Sequence, residues 1–443
     1  MTPARVVITG LGAVSPLGLT VDEMWAGLSA GRCGIAPIKS FDPTGLPCEL
    51  GGEAPPFRIQ DHVPKTFRKA VKLMCRDIEL AVVAAKEAVA ASGLTTKGID
   101  PDNVNVDPTR IAINMGAGMI SCDLTELGPA VAVSTTAGRF DIHKWGKDGL
   151  GHITPLWLLK YLPNMLACHI GIIHDIQGPS NTITCAEASA HLSIGEAAQV
   201  IARGSADIAL TGAAEGKINL MMLVRQNLLK RVATNSNDNP EAACRPFDAG
   251  AAGSVFGEGA GIIVLENLDH ARSRGARIWG EVAGIGQSHN IHPVYERMEP
   301  DGKGIRIAVE KGMADAGIAP DDLDLVIPHG TGVPQDDLAE ARGLEAALGP
   351  AVRRIPAWPT KSMLSTTGAA AGALDVIAAL RAMNDRTIPP ARNFTKPADG
   401  CNLSIPTERR EGRIRHALCC SHTYGGQTAA VVLKAYEGDT TRR

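Results

Sequence analysis

An internal echo restricts the fold of this chain more than any other feature. Phe256-Gly257 is followed by two residues, two small residues, the apolar run Ile262 to Leu265 and a charge. Tyr424-Gly425 is followed in the same way by two residues, two small residues, Ala430 to Leu433 and a charge. Strand-helix alternation runs along the rest of the chain. Echo and alternation together point to a duplicated α/β core, each half a sheet covered by helices. With 443 residues, two domains or two fused halves are expected. The join is expected near 266–280.

The strands expected are the opening "RVVITGLGAVSPLG", residues 110–118, 206–215 and 259–267, residues 323–332 ending in a His-Gly-Thr loop, and a hairpin over 417–435. Residues 68–92 read as one long amphipathic helix ended by Gly93, and 303–317 as another. Residues 119–160 lack a clear period and read as an insertion over the core. Gly10-Leu-Gly12-Ala-Val-Ser15 begins like a dinucleotide-binding turn. The third glycine and the distal acidic residue are absent, so nucleotide binding is not expected.

Composition excludes several classes. A net charge of −3 gives no global field for nucleic acid. No apolar run reaches the length of a membrane span, and the N-terminus lacks a signal-peptide layout, so a cytoplasmic protein is expected. There are ten cysteines but no C-x-x-C pair, and Cys419-Cys420 are adjacent. This suits neither zinc nor ordinary bridges; no metal or cofactor is expected. His289, His292 and Tyr295 cluster in a stretch that reads as a polar surface loop.

Several segments together resemble the β-ketoacyl-acyl-carrier-protein synthase family, of thiolase-like fold. They are "VVITGLGAVSPLG", "GPSNTIT", "NDNPEAACRPFDAGAAGSVFGEGAGIIVLE" at 237–266, "HGTGVPQDDLAEA", "TKSMLSTTGAAAG" and "SHTYGGQTAAVVL", in family order and over essentially the whole chain. The resemblance implies duplicated mixed-sheet halves in a layered α-β-α-β-α arrangement. Residues 1–268 would form the N-terminal half, with the nucleophile-position turn at 185–190. Residues 269–443 would form the C-terminal half, with the His329 loop, the 361–372 loop and the Gly-rich loop at 419–428.

It also implies a chemistry: a cysteine at a helix N-terminus takes an acyl chain from a carrier-protein thioester, and two histidines assist decarboxylation of a malonyl thioester. Counting from Gly178-Pro179-Ser180 and back from Ile194-Gly195 puts the nucleophile position at Glu187 from both sides. Cys185 lies two residues earlier and serves only if the turn slides. His329 matches the first histidine. Thr366 stands where the second is expected, and Leu338 where a loop lysine is expected. Lys361 and Glu340 match polar residues of the family. His422 and Tyr424, followed by Gly425 and Gly426, take the place of a gating aromatic pair at the substrate.

A carboxylate is comfortable at a helix N-terminus but is a poor acyl acceptor. Attack on a thioester would give an energetically uphill mixed anhydride. Threonine cannot act as a base near neutral pH. The first expectation is therefore a non-condensing partner of an active ketosynthase in fatty acid or polyketide biosynthesis, like a chain-length factor. The usual glutamine of such factors is absent here. The alternatives are a standalone decarboxylase, hydrolase or cyclase using Glu187 and His329, a condensing 3-oxoacyl synthase using Cys185, and an acyl-binding scaffold. Lys65, Arg68, Lys69, Lys72 and Arg76 fall on one face if 68–92 and its approach are helical, a strip for an acidic acyl carrier protein. Arg225, Lys230 and Arg231 are possible additions to it. The resemblance further implies a homodimer or heterodimer, with "NTIT" at 181–184 as the interface strand.

Overall fold

The computed structural model describes residues 4–290, 292–294 and 297–438. Its centre is a nine-stranded mixed sheet. The strands are β1 (Val6–Val14), β2 (Ile111–Ala117), β3 (Ser180–Thr184), β4 (Ile208–Gly216), β5 (Glu258–Asn267), β6 (Gly280–His289), β7 (Leu325–Ile327), β8 (His416–His422) and β9 (Gln427–Lys434). Their order is β7-β8-β9-β6-β1-β5-β4-β2-β3.

The echo is written into this order. Outward from β1 come β5 and β4, joined antiparallel, then β2 and β3, joined parallel. Outward from β6 come β9 and β8, joined antiparallel, then β7, joined parallel, and a parallel bridge from Val326 to Ala357. The two series repeat each other and meet where β1 pairs antiparallel with β6. Each carries a register shift at the same place, between Ile8 and Gly10 in β1 and between Val282 and Gly284 in β6.

The helices lie in three layers around the two parts of the sheet. We label them α1 (Arg76–Ala91), α2 (Leu124–Val133), α3 (Ile142–Lys147), α4 (Met165–His174), α5 (Ser189–Ala202), α6 (Leu220–Leu228), α7 (Lys303–Ala316), α8 (Pro334–Leu348) and α9 (Ala371–Asp385). α1 packs on β1, β4 and β5, with α4 beside it. α5 and α9 lie between the two parts; α5 packs on β2 and β4 and reaches β9, and α9 packs on β5 and β8. α7 covers β6 and β9, with α8 behind it. All nine residues of β1 are buried, because it faces helices on both sides.

Helix-to-strand contact explains the Gly-Leu-Gly stretch. A Cβ on Gly12 would stand 2.0 Å from the Ala84 carbonyl oxygen of α1. The repeat-related Gly286 stands against α7, where a Cβ would lie 1.7 Å from the Ala308 oxygen. These glycines let helices close on the sheet.

Two expectations need correction, over 68–92 and over 323–332. The helix expected over 68–92 begins only at Arg76; Lys65–Phe67 and Ala70–Leu73 are separate 3-10 turns. Lys65, Arg68, Lys69, Lys72 and Arg76 therefore do not form one helical face. Residues 119–160 hold regular structure, α2 and α3, capped by Asp123 and Asp141, whose carboxylates accept from Thr125 and His143 amides at 2.8 Å. Their apolar residues Leu124, Val131 and Ile142 are exposed, so no amphipathic period marked them. The strand expected over 323–332 shrinks to Leu325–Ile327. Among the described residues, no helix is long and apolar enough to cross a membrane.

Candidate functional site

β3 ends at Thr184, and the chain turns sharply before α5. Ala186 takes φ +45°, a left-handed conformation costly for a residue with a Cβ. Neighbouring bonds hold it there: the Cys185 amide donates to Ser189 Oγ at 2.8 Å, and that hydroxyl donates to the Ala117 oxygen at 3.0 Å. Glu187 sits in the single 3-10 turn Ala186–Ala188 that leads into the helix, and is buried. Cys185 precedes the turn, half-buried, and burial raises its thiol pKa. It is not among the residues lining the cavity described below.

The Glu187 carboxylate faces Lys217, whose Nζ lies 3.7 Å from Oε1. Lys217 follows β4 and also lies 3.1 Å from Glu215 Oε1. Burial disfavours the Lys217 charge, but Glu215 and Glu187 outweigh it and raise its pKa. Glu215 in turn accepts from the Ala369 amide at 2.6 Å. Gly118 and Gly368 make room for it: a Cβ on either would lie 2.0 Å from its carboxyl group.

The opposite wall comes from the C-terminal part of the sheet. His329 follows β7, and Glu340 of α8 fixes its loop by accepting from the His329 and Gly330 amides at 2.7 and 2.8 Å. His422, at the end of β8, lies edge-on to His329 with ring centroids 4.8 Å apart. Its Nε2 is 3.4 Å from Glu340 Oε2. Burial opposes a charge on His422, but Glu340 outweighs it and raises the pKa. His329 is pushed well below the ordinary value by burial, then by His422 and Lys361. Arg231 forms a buried ion pair with Asp336 and lies under the Tyr424 ring, 4.7 Å from its centroid.

Glu187, Arg231, Phe256, His329, Thr366 and His422 line one cavity of about 10 Å³. The Thr366 hydroxyl is 2.6 Å from Ser254 Oγ, and its backbone bonds Val255 and Gly257. Thus the structure gathers Glu187, His329, Thr366 and His422 around one space.

Other expected residues stand elsewhere. Lys361 is fully buried in an ion pair with Asp375 and does not line the cavity. Gly425 and Gly426 form the turn between β8 and β9, with Gly426 at φ +93°. Arg76 binds Glu258 through two bonds of 2.9 and 2.7 Å, and Arg231 points inward to Asp336. Neither is available to an exposed basic strip; the long guanidinium side chains are spent on buried carboxylates. His289 bonds the Gly425 oxygen at 3.0 Å, and His292 pairs locally with Val294. Tyr295 lies outside the described residues. Among the described residues, no group of three or more His, Cys, Asp or Glu side chains is placed to hold a metal ion.

Sequence reasoning passed over Lys217, Glu215, Asp336 and Ser254. The signal for the first two was present: in "LTGAAEGK" two opposite charges interrupt the end of an otherwise buried strand, and buried charges are found paired.

The family model for the β-ketoacyl synthase N-terminal domain matches residues 4–271, and that for the C-terminal domain matches residues 279–395. The 3-oxoacyl-[acyl-carrier-protein] synthase 2 of Staphylococcus aureus (strain N315) is 33% identical over 435 residues, covering 98% of this chain and 99% of that protein. The protein of the same name from Coxiella burnetii is 32% identical over 434 residues, with the same coverage of each. A solved β-ketoacyl synthase from Burkholderia phymatum STM815 superposes with a TM-score of 0.85 at 26% identity, over 98% of this chain and 100% of that one. The ishigamide ketosynthase/chain length factor superposes with a TM-score of 0.83 at 28% identity, over 98% and 100%. On this evidence the chain belongs to the β-ketoacyl synthase family and has its thiolase-like fold.

Proposed function

We propose that this chain is a non-condensing ketosynthase-like subunit of fatty acid or polyketide biosynthesis, a chain-length-factor-like partner of an active ketosynthase. The observation that carries the reading is the Glu187–Lys217 ion pair at the tip of the strand-to-helix turn. Where a condensing enzyme needs a thiolate, this chain places a carboxylate already matched to a cation. Acyl storage there would demand a mixed anhydride, and Thr366 supplies no base. Use of Cys185 would require the turn to slide by two residues, against the bond from its amide to Ser189.

In this reading Glu187 fills the nucleophile position, and His329, Thr366 and Lys361 occupy the other catalytic positions. His422, Tyr424, Gly425 and Gly426 border the acyl path. The division into halves falls at 268/269, and the complex is cytoplasmic. β3 offers the pairing edge: it ends the sheet, and its residues are exposed or half-exposed. Lys65, Arg68, Lys69 and Lys72 remain exposed within one short segment and would receive an acidic acyl carrier protein, with Arg225 and Lys230 as further cations.

Co-expression with an intact ketosynthase encoded beside it tests the proposal. A stoichiometric complex by light scattering after size exclusion is expected. A chain that purifies without its neighbour and fails to alter product length overturns it.

A further inference from the structure

A second cavity, of about 290 Å³, opens at the far end of β2 from the Glu187 turn. Ile111 begins β2 and lines this cavity. Ala117 ends β2, and its oxygen accepts from the Ser189 hydroxyl of the turn. The stretch from Ile111 to Ala117 spans roughly 20 Å of strand. The cavity walls are pinned from several sides. The Thr95 amide donates to Asn105 Oδ1 at 2.7 Å, Asn105 Nδ2 donates to the Gly93 oxygen at 3.2 Å, and the Gln177 amide donates to the Pro108 oxygen at 3.0 Å. A Cβ on Gly98 would lie 2.6 Å from the Ile173 oxygen, so its absence lets this loop close on the end of α4.

The lining divides by chemistry. Val104, Val106, Ile111 and two prolines are apolar, and Val104 is exposed. Thr96, Lys97, His174 and Asp175 are polar. His174 is only 3% exposed. Its Nδ1 lies 2.7 Å from Thr96 Oγ1, whereas its Nε2 has no hydrogen-bond partner among the described residues and is not sealed from the open space. Buried polar groups are rarely left with such a deficit. The charges, in contrast, are matched. Lys97 Nζ is 3.6 Å from Asp175 Oδ2, and Gln177 Nε2 donates to Asp175 Oδ1 at 3.2 Å. Burial lowers the His174 pKa to about 4, which leaves the ring neutral.

We propose that this cavity binds small neutral alcohols, with the hydroxyl on His174 Nε2 and the aliphatic body against Val104, Val106 and Ile111. A hydroxyl both donates and accepts, so it satisfies Nε2 in either imidazole tautomer. A carboxylate or an ammonium would enter a site whose charges are already matched. It would give up hydration without gaining a free counter-charge. Covering the apolar wall supplies the remaining affinity. The volume stands at the lower end of ligand clefts, which suits a chain of about six carbons. The site is separate from the Glu187 cavity and does not depend on the pairing proposed above.

The test titrates the purified full chain with hexan-1-ol, hexanoate and hexylamine, read by calorimetry and by the ¹⁵N signal of the His174 ring. Hexan-1-ol is expected to bind with a Kd of about 1 mM or lower and to shift the Nε2 signal. The two charged probes should bind roughly 10-fold more weakly or worse. Val104→Trp fills the cavity from its exposed wall and should weaken hexan-1-ol by about 10-fold or more; if that variant does not fold, Pro101→Trp takes its place. No binding of hexan-1-ol, an unmoved Nε2 signal, equal binding of a charged probe, or full binding by a folded tryptophan variant overturns the proposal.

Discussion

The Lys217 ammonium stands between two buried carboxylates, 3.7 Å from Glu187 and 3.1 Å from Glu215. Removing the cation leaves both anions without their counter-charge. Lys217→Met is expected to lower stability by about 3–5 kcal/mol, measured by denaturant unfolding. Adding Glu187→Gln to that variant should restore part of the loss. Strict additivity of the two changes would show that the pair is not coupled.

Close packing of glycine against helix backbone makes a second expectation. Gly12→Ala and Gly286→Ala each press a methyl group into a carbonyl oxygen. Each should cost about 1–3 kcal/mol or more, read as a lower Tm. Gly151→Ala meets no atom within 4 Å and should stay within about 0.5 kcal/mol of the parent. Equal effects at all three positions would refute the packing argument.

Two buried histidines set an acid limit. Burial lowers His174 to about 4 and His191 to about 3, from an ordinary value of 6.5. Both are neutral in the fold, so their contribution is complete above pH 6.5 and is lost as pH falls toward the folded values. His174→Gln is expected to reduce the stability difference between pH 7 and pH 4.5 by about 2–3 kcal/mol. An unchanged pH dependence in urea melts would remove His174 from this account.

Carrier docking makes a charge prediction. Lys65, Arg68 and Lys69 are exposed, and replacing all three with glutamate should weaken carrier binding, with a reduced dependence on salt. Arg76→Met should instead show as lost stability, because Arg76 already serves Glu258. Calorimetric titration with an acyl carrier protein at two salt concentrations checks both; unaltered binding by the triple variant sinks the docking strip.

Much of the architecture was legible because its signals are local and repeated. The echo after Phe256 and Tyr424 marks β5 and β9, which hold matching places in the two halves of the sheet. Glu187 was placed by counting from both flanks, and it lies in the turn. What escaped depends on long-range pairing. Nothing near Arg231 in sequence announces Asp336, 105 residues away. Arg76 looked like surface because Glu258, 182 residues on, was not visible as its partner. The helix over 68–75 failed for a related reason: residues of good helical propensity were held as 3-10 turns by their surroundings.

The position of β1 at the centre of the sheet has a consequence for biosynthesis. Its two neighbours are β5 and β6, which begin at Glu258 and Gly280. At roughly 5–20 residues per second, a nine-residue segment whose side chains, Thr9 apart, carry no polar group waits tens of seconds on the ribosome before either edge can be paired. The seam between the halves thus becomes possible only after every strand of the first series has been made. A factor that shelters β1 through that interval is expected to raise the yield of folded chain, an effect set by the strand order.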